Sequence, residues 1–520
     1  MLVKNVTLND TSLDFLVEDG VDKERQDNHF TILIGKNASG KSEVLKEVCH
    51  LLIRSQIKDD FSSVYVDILD HYLDRNYKNT LHRGEKNISS ELELINDGKA
   101  FKYKYIRTDE KREFINYLGQ KEYIKEQVFR HCFGVTDEES NKVTAPKNNN
   151  IIAVSSGQFD KFPVLQSMGL SSETGINYSY VGVQNDRLSS RYDSVLSLKV
   201  GEIGHAIVKF SVESKTINLS SLLNTLGFSG KVKLKYEINK HMLSSDFREQ
   251  DKLLINGTRY SSVGLGNNDS KLKDEDILSF KQALSYFNEL HPSNHENLGM
   301  IEIDLLGENV SFEATHLYYA AKLNALEIKD VLFDGEHGSS SSSLLLASSG
   351  QINLLNIFFG ISSCIKDNSL ILIDEPEISL HADWQIKFIP LVREVFSKYK
   401  GCHYIIATHA PMIISNVRSS HSSILNMTTG DTISSKEFSN QSSDYINSYL
   451  FETPGPKNET INREVVSLLS AISKRKKLTE SNIKKARLLI KWSYELIDGD
   501  PTKELVNILE EALEVYSYDS

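Results

Sequence analysis

Gly35-Lys36-Asn37-Ala38-Ser39-Gly40-Lys41-Ser42 is the stretch on which the fold turns. It follows an apolar run, Phe30-Thr31-Ile32-Leu33-Ile34, and precedes an amphipathic stretch with Val44, Leu45, Val48, Leu51 and Leu52 on one side. The order is strand, glycine-rich loop, helix, with the G-x-x-x-x-G-K-S spacing of a P-loop. Glycine lets the backbone turn until its N–H groups converge on phosphate oxygens. The helix that begins near Lys41 adds the positive end of its dipole. Lys41 can reach the outer phosphates, and the Ser42 hydroxyl can ligate Mg²⁺.

At 520 residues the chain is too long for one ordinary core, so two or three domains or lobes are expected. Its composition, 40% hydrophobic and 25% charged, is that of an ordinary soluble protein. Cys49, Cys132, Cys364 and Cys402 show no C-x-x-C spacing, which argues against a disulfide framework or a zinc site and fits a reducing cytoplasm. The opening Met1-Leu2-Val3-Lys4-Asn5-Val6 is too short and polar for a signal peptide, and no apolar run approaches a membrane span. A net charge of -12 speaks against a generally basic surface but leaves room for a local basic groove.

Along the chain, residues 1–34 read as short strands leading into the P-loop strand. Strand-like pieces recur at 62–68 and 100–105, Glu110 to Phe133 reads as a charged helix, and Lys147 to Asn150 as a loop. Ile151 to Val154 is a buried-type strand. From 185 to 335 the pattern mixes helices near 217–226, 273–290 and 315–331 with strands near 206–212 and 300–313. Ser339 to Ser343 reads as a hinge or exposed loop. Beyond Pro454-Gly455-Pro456 a helical tail carries Lys474-Arg475-Lys476-Lys477, followed by Lys484, Lys485, Arg487 and Lys491. Such a run can touch nucleic acid, but more often it is a solvated helix face or a partner surface.

Residues 344–415 carry the rest of the chemistry. Leu370-Ile371-Leu372-Ile373 is a buried strand ending in Asp374-Glu375-Pro376. A carboxylate at the C-terminal end of a parallel strand faces the crevice where ligands sit. Asp374 would hold Mg²⁺ directly or through water, and Glu375 could orient or deprotonate the attacking water. An acidic turn after a core strand is the plainer alternative. Tyr404-Ile405-Ile406-Ala407-Thr408 is the next buried strand and ends at His409, placed to meet a γ-phosphate, unless it is simply a core histidine. Ser348, Ser349, Gly350 and Gln351 open an apolar helix, Ala382 to Tyr399 form another with Pro390 inside it, and the first of these helix starts is either a second anion site or an ordinary N-cap. One site does not need two phosphate-binding helix starts, so a second subunit would supply one. A bulky residue at Gly350 would then crowd the partner's phosphate.

In this order the motifs resemble the ABC-type ATPases of the SMC, RecF and RecN class. The resemblance implies an α/β, ABC-type P-loop ATPase with a mixed sheet, an inserted α+β region and a helical C-terminal tail. The roles it implies are Walker A at Gly35 to Ser42, Walker B at Asp374, the catalytic carboxylate at Glu375, the switch histidine at His409 and the signature at Ser348 to Gln351. Gln158 is the best candidate for the Q-loop glutamine that meets the metal, with Gln184 as the alternative. Two departures stand out. Ala347-Ser348-Ser349-Gly350-Gln351 has Ala and Ser where the common signature has Leu and Gly, and His381 stands where the D-loop usually has aspartate. Both are similar to the defence ATPases that include the OLD nucleases and PtuA, the ATPase subunit of Septu and retron-associated systems. Phe159-Asp160-Lys161-Phe162-Pro163 and Tyr178-Ser179-Tyr180-Val181-Gly182 resemble PtuA most.

OLD nucleases carry a Toprim domain after the ATPase; here the residues after His409 read mainly as helix, so no built-in nuclease is expected. The resemblance implies a cytoplasmic ATP- and Mg²⁺-dependent ATPase that dimerises around ATP, or forms a higher oligomer, and regulates a PtuB-like HNH nuclease in phage defence. A reverse transcriptase and its RNA/DNA product could belong to such a system; a membrane does not. The expected divisions are 1–185 with Walker A and the Q-loop, 186–335 as the insertion, 336–435 with signature, Walker B and switch histidine, and 436–520 as the tail. The rivals are a RecF- or SMC-type DNA-repair ATPase, a transporter ATPase, and a scaffold that binds ATP and hardly hydrolyses it.

Overall fold

The computed structural model describes residues 1–9, 11–17, 27–36, 39–56, 87–110, 113–115, 121–123, 128–146, 149–157, 162–163, 176–182, 194–213, 217–239, 252–255, 258–261, 269–271, 274–291, 297–307, 311–322, 325–336, 340–417, 421–438, 441–474 and 478–519. In chain order the first part holds β1 (Leu2–Leu8), β2 (Thr11–Asp14), β3 (His29–Ile34), α1 (Lys41–Gln56), β4 (Asn87–Asn96), β5 (Lys99–Glu110), β6 (Glu113–Ile115), β7 (Lys121–Tyr123), β8 (Val128–Thr136), β9 (Ile151–Ser155) and β10 (Tyr178–Val181). The middle holds α2 (Val195–Glu213), α3 (Ser220–Leu226), β11 (Phe228–Ile238), β12 (Lys252–Ile255), β13 (Thr258–Ser261), β14 (Asp269–Lys271), α4 (Asp274–Leu290), β15 (Leu298–Asp304), α5 (Phe312–Lys322), β16 (Leu326–Gly335) and β17 (Ser342–Ser343). The last part holds α6 (Ser349–Ser362), β18 (Leu370–Asp374), α7 (Ala382–Val395), β19 (His403–Ala407), α8 (Pro411–Ile414), β20 (Ser422–Asn426), β21 (Thr432–Ser434), α9 (Ser443–Tyr449), α10 (Glu459–Ser473), α11 (Glu480–Ser493) and α12 (Pro501–Asp519).

The site is built on a seven-stranded sheet in the order β10-β9-β18-β19-β3-β20-β21. All neighbours pair parallel except β21, which returns antiparallel beside β20 across the Thr429-Gly430 turn. The central strands are buried along their whole length, which is why they read as unbroken apolar runs. Alternation divides their side chains. Leu33, Leu372, Ile405 and Leu425 face a core shared with α1 and the antiparallel sheet β2-β1-β4-β5-β8. Ile32, Ile34, Ile373, Ile406 and Ile424 face a second core with α2, α6, α7 and the sheet β15-β11-β16-β17. The tail helices α10, α11 and α12 form a third cluster around Trp492, Ile461, Val465 and Val506.

Four readings of the sequence change. Among the described residues of Glu110 to Phe133 there is no helix: β5 continues to Glu110 and pairs with β8 from Glu110↔Val128 to Lys102↔Thr136, and β6 and β7, between them in sequence, pair antiparallel. The strand expected at 206–212 is the end of α2, whose buried Leu198, Ile203, Ile207, Val208 and Phe210 keep helical spacing. Gly201 and Gly204 break that pattern on paper, yet Gly204 lets α2 approach β16, since a Cβ there would lie 2.5 Å from Ile328 Cγ2. The helix near 315–331 stops at Lys322, and Leu326–Gly335 is a strand paired with β11. Ser342 and Ser343 pair with β16, and Ser343 donates its hydroxyl to Asp330 at 2.8 Å. The pieces at 62–68 lie outside the described residues.

A buried polar cluster ties β1 to the central sheet. His403 Nδ1 accepts from Val3 N at 3.0 Å, and its Nε2 lies 2.9 Å from Thr31 Oγ1. Burial, reinforced by His29 and the N-terminal charge, holds His403 well below the usual histidine range. Burial also pushes His29 down to about 4. A histidine depressed in the fold contributes stability above its unfolded pKa, about 6.5, and that stability is lost as pH falls toward the folded value. The urea midpoint should therefore drop as pH falls from about 6.5 to about 5. His403→Gln keeps an acceptor for Val3 and cannot become charged, so its midpoint should fall less steeply. Parallel slopes for the two proteins would show that His403 does not carry the acid sensitivity.

Candidate functional site

Strand register brings the motifs to one edge of the sheet. Asp374 stands beside Ala407 and Ser155, and Ala407 beside Leu33, so β18, β19, β9 and β3 end level. The loop after each strand emerges into the same crevice. Thr408 N–H donates to Leu33 O and Met427 N–H to Ile34 O, fastening the next loops to the end of β3.

The P-loop turns through Gly35, at φ +152°, and Gly40, at φ +90°. A Cβ at Gly35 would also crowd its neighbours, 3.1 Å from the Cβ atoms of Ser39 and Met427, so space as well as torsion favours glycine. Lys41 is buried and folds back on its own loop, donating to Gly35 O at 3.0 Å and Lys36 O at 3.3 Å, with Ser39 Oγ at 3.4 Å. These acceptors occupy the ammonium as phosphate oxygens would. Burial lowers the Lys41 pKa, while the charges of Glu375, Asp374 and Glu377 act in the opposite direction. Asn37 and Ala38 lie outside the described residues.

Ser42, in the first turn of α1, donates its hydroxyl to Asp374 Oδ1 at 3.1 Å. A hydroxyl and a carboxylate oxygen at this spacing fit Mg²⁺, which takes few protein ligands and leaves the remaining positions to phosphate and water. Bound there, the ion would offset negative charge on the phosphates. Among the described residues no group of three or more His, Cys, Asp or Glu side chains could hold a metal by itself, so the phosphates would complete any such site.

Glu375 follows at φ +50°, a left-handed backbone unusual for a side-chain-bearing residue. Its carboxylate points toward the end of β9: a Cβ added at Gly157 would lie 3.9 Å from Glu375 Oε2. Gln158, the next residue, and the alternative Gln184 lie outside the described residues. His409 Nδ1 is 3.4 Å from Lys41 Nζ. An ammonium has no lone pair, so that contact requires Nδ1 to accept and leaves the proton on Nε2. Burial, and then the Lys41 charge, lowers the His409 pKa, favouring the neutral ring at pH 7.

Glu377 belongs to the same cluster, though the motifs did not point to it. Its Oε1 accepts from His409 N–H at 2.6 Å. Burial pushes its carboxyl up, against the lowering effect of that hydrogen bond. Asn353, on α6, reaches the same turn, donating to Ile378 O at 2.9 Å and Pro376 O at 3.2 Å. Two signals were available in the sequence: Glu377 lies two residues past Glu375, and Asn353 interrupts the apolar run of α6.

The segment 348–351 is elsewhere. Ser348 caps α6 in a capping box: its Oγ accepts from Gln351 N at 3.2 Å and its N–H donates to Gln351 Oε1 at 3.0 Å. Ser348 and Ser349 are exposed, and among the described residues no hydrogen bond joins 348–351 to the P-loop. Gly350 is buried, and a Cβ there would meet Ser379 O at 2.6 Å and the Trp384 ring at 2.9 Å. The expectation about Gly350 is thus corrected: a bulky residue would clash with its own subunit first. His381 caps α7 and is largely exposed.

The family model described as the AAA ATPase domain matches residues 8–414. This chain belongs to that family. It is therefore an ATPase, and its fold is of the ABC type, a P-loop on a mixed sheet with a helical C-terminal region. No curated protein matches the chain. Among solved structures it is similar to the SMC head domain from Thermotoga maritima, with 10% identity, a TM-score of 0.30, and coverage of 83% of this chain and 97% of that one. It is also similar to a Smc head domain with an extended coiled coil bound to the C-terminal domain of ScpA, derived from Pyrococcus furiosus, with 10% identity, a TM-score of 0.31, and coverage of 84% and 97%. Among the described residues no helix is long and apolar enough to cross a membrane.

If Lys41 meets the phosphates, Lys41→Ala should abolish hydrolysis and weaken ATP binding in a nucleotide titration. Asp374→Asn should raise the Mg²⁺ concentration for half-maximal turnover by about tenfold or more. An unchanged Mg²⁺ requirement would remove Asp374 from the metal site.

Proposed function

We propose that two copies of this chain close head to tail around ATP. In each site Lys41, Ser42, Asp374, Glu375 and His409 of one subunit would face Ser348 to Gln351 of the other. The observation that carries the reading is the placement of the α6 start, capped, exposed and, among the described residues, without a hydrogen bond to its own P-loop, while Lys41, Ser42, Asp374 and His409 lie together. Lys41 would move its hydrogen bonds from the loop to the β- and γ-phosphates. Glu375 would take or orient a proton of the attacking water. Neutral His409 would donate from Nε2 to charge developing on the γ-phosphate.

In this reading residues 1–185 and 336–435 form the catalytic core, 186–335 is an insertion, and 436–520 is a tail that transmits the closed state to a partner. The defence ATPases that share the signature and D-loop departures suggest that partner's class. We infer an anti-phage ATPase that controls a separate PtuB-like HNH nuclease and acts in the cytoplasm. The tail's cations fit a partner surface better than a DNA groove: Lys485 pairs with Glu464 at 2.5 Å, Lys484 with Glu480 at 3.3 Å and Lys491 with Glu452 at 3.7 Å. Residues 475–477 lie outside the described residues.

Glu375→Gln should lower hydrolysis about a hundredfold or more, keep ATP binding and accumulate as an ATP-bound dimer on a sizing column. For the opposing face Ser349→Glu is the better variant. A carboxylate in the first turn suits the helix but repels a phosphate. Ser349→Glu and Lys41→Ala should each be inactive alone and regain activity when mixed, because the mixed dimer holds one site free of both lesions. Full activity of Ser349→Glu by itself would reduce 348–351 to a helix cap. The purified chain with ATP and Mg²⁺ or Mn²⁺ should not cut DNA. Cleavage that co-elutes with this polypeptide alone would remove the partner nuclease from the proposal, and strong stimulation of ATPase turnover by DNA would favour the repair-type reading.

A further inference from the structure

The turn after β18 has a shape that its own residues disfavour. Glu375 sits at φ +50° and Ser379 at φ +64°, both in the left-handed region. Such backbone persists only where surrounding contacts impose it. Part of the hold is local: Ile378 N–H donates to Glu375 O at 3.2 Å and Leu380 N–H to Glu377 O at 2.9 Å. Another part comes from β19, whose Ala407 O accepts from Glu375 N at 2.9 Å. The remainder comes from α6. Asn353 is buried on that helix, and its amide spans the turn to bond Pro376 O and Ile378 O. One turn earlier, Gly350 allows the helix to lie against Ser379 O.

These contacts bracket Glu375. An amide that donates to the carbonyls of residues 376 and 378 limits rotation of the peptides that follow the carboxylate. The carboxylate, which reaches toward Gly157, is carried by that backbone. We propose that Asn353 is a positioning residue for ATP hydrolysis, holding the 375–379 turn so that the Glu375 carboxylate stays aimed into the site. Asn353 touches no substrate in this scheme and acts through Glu375. The proposal rests on the catalytic reading of Glu375 given above. It also places the positioning group on the helix whose start would face the second subunit, so movement of that helix reaches the carboxylate through one side chain.

The test compares Asn353→Ala and Asn353→Asp with wild type, and runs Glu375→Gln in parallel. Asp keeps the size of the side chain but turns two donated bonds into repulsion between oxygens. Both Asn353 variants should lose about tenfold or more in kcat, with KM for ATP within about threefold, because geometry at the reacting water is affected and phosphate binding is not. ATP titration should show full site occupancy, and Tm should stay within a few degrees of wild type. Loss of activity only in proportion to loss of folded protein would assign Asn353 a structural role and overturn the proposal. So would wild-type kcat in a folded variant. If the Asp variant does not fold, Asn353→Leu, similar in size and without a donor, carries the same comparison: a folded Leu variant with reduced kcat supports the proposal, and one with full kcat ends it. Normal turnover by Glu375→Gln would instead show that the reading of the site had failed. Inactive Glu375→Gln beside fully active Asn353 variants would refute the positioning role alone.

Discussion

The level ending of β3, β19, β18 and β9 is the constraint on which the rest depends. In parallel register Leu33, Ala407, Asp374 and Ser155 stand side by side, so four loops leave the sheet at one height. A strand buried on both faces can present polar groups to a ligand from solvent only where it stops. The P-loop, Asp374-Glu375, Thr408-His409 and Ser156-Gly157 all occur at such stops. The Ser42–Asp374 hydrogen bond then joins the first of these loops to the second across 332 residues of chain. A one-residue slip in any of these strands would turn its apolar set to the wrong core and move its loop residue away from the others.

The site concentrates opposing charge in a partly buried space. One ammonium, Lys41, lies among three carboxylates, Asp374, Glu375 and Glu377, and each influences its pKa. Burial works against the charge on Lys41 and on Glu377. Hydrogen bonds act in the other direction: Gly35 O, Lys36 O, Ser39 Oγ and His409 Nδ1 surround Lys41, and a backbone N–H donates to Glu377, while the Ser42 hydroxyl donates to Asp374. His409 adds no charge to this balance, because burial, and then the neighbouring Lys41 charge, favour its neutral ring. A polyanionic ligand with a divalent ion adds charge of both signs, which a crevice lined only by acid or only by base would not accommodate.

How much of this was legible in the sequence follows from the physics of each part. The P-loop and the ends of β18 and β19 were plain because fixed spacing and complete burial both leave marks in composition. Residues 206–212 misread as a strand because β-branched Ile207 and Val208 follow two glycines, and the reason for Gly204, close contact with Ile328, lies more than a hundred residues away. Glu110 to Phe133 misread as helix because it is charged, while its strand pairing is with β5, a partner the local pattern does not reveal. Glu377 and Asn353 were missed for a related reason. Neither stands in a phosphate-binding motif, and each matters through a backbone atom distant in sequence, His409 N for one and Pro376 O and Ile378 O for the other.

The departures in the α6 start have a physical reading. The common signature carries glycine at its third and fourth positions, and here Ser349 replaces the first of them. Ser349 is exposed, so its side chain meets nothing in its own subunit that would exclude it. Gly350 has no such freedom, because Ser379 O and Trp384 occupy the space of any Cβ. The two positions therefore answer to different constraints. The fold of one subunit dictates Gly350, whereas only what approaches from outside can select at Ser349. A hydroxyl in the first turn of a helix suits an anion arriving there, since it adds a donor to the exposed N–H groups without adding charge. The replacement thus meets no steric bar within the subunit, and under the proposed head-to-tail arrangement it would leave the helix start open to a phosphate held by the other copy.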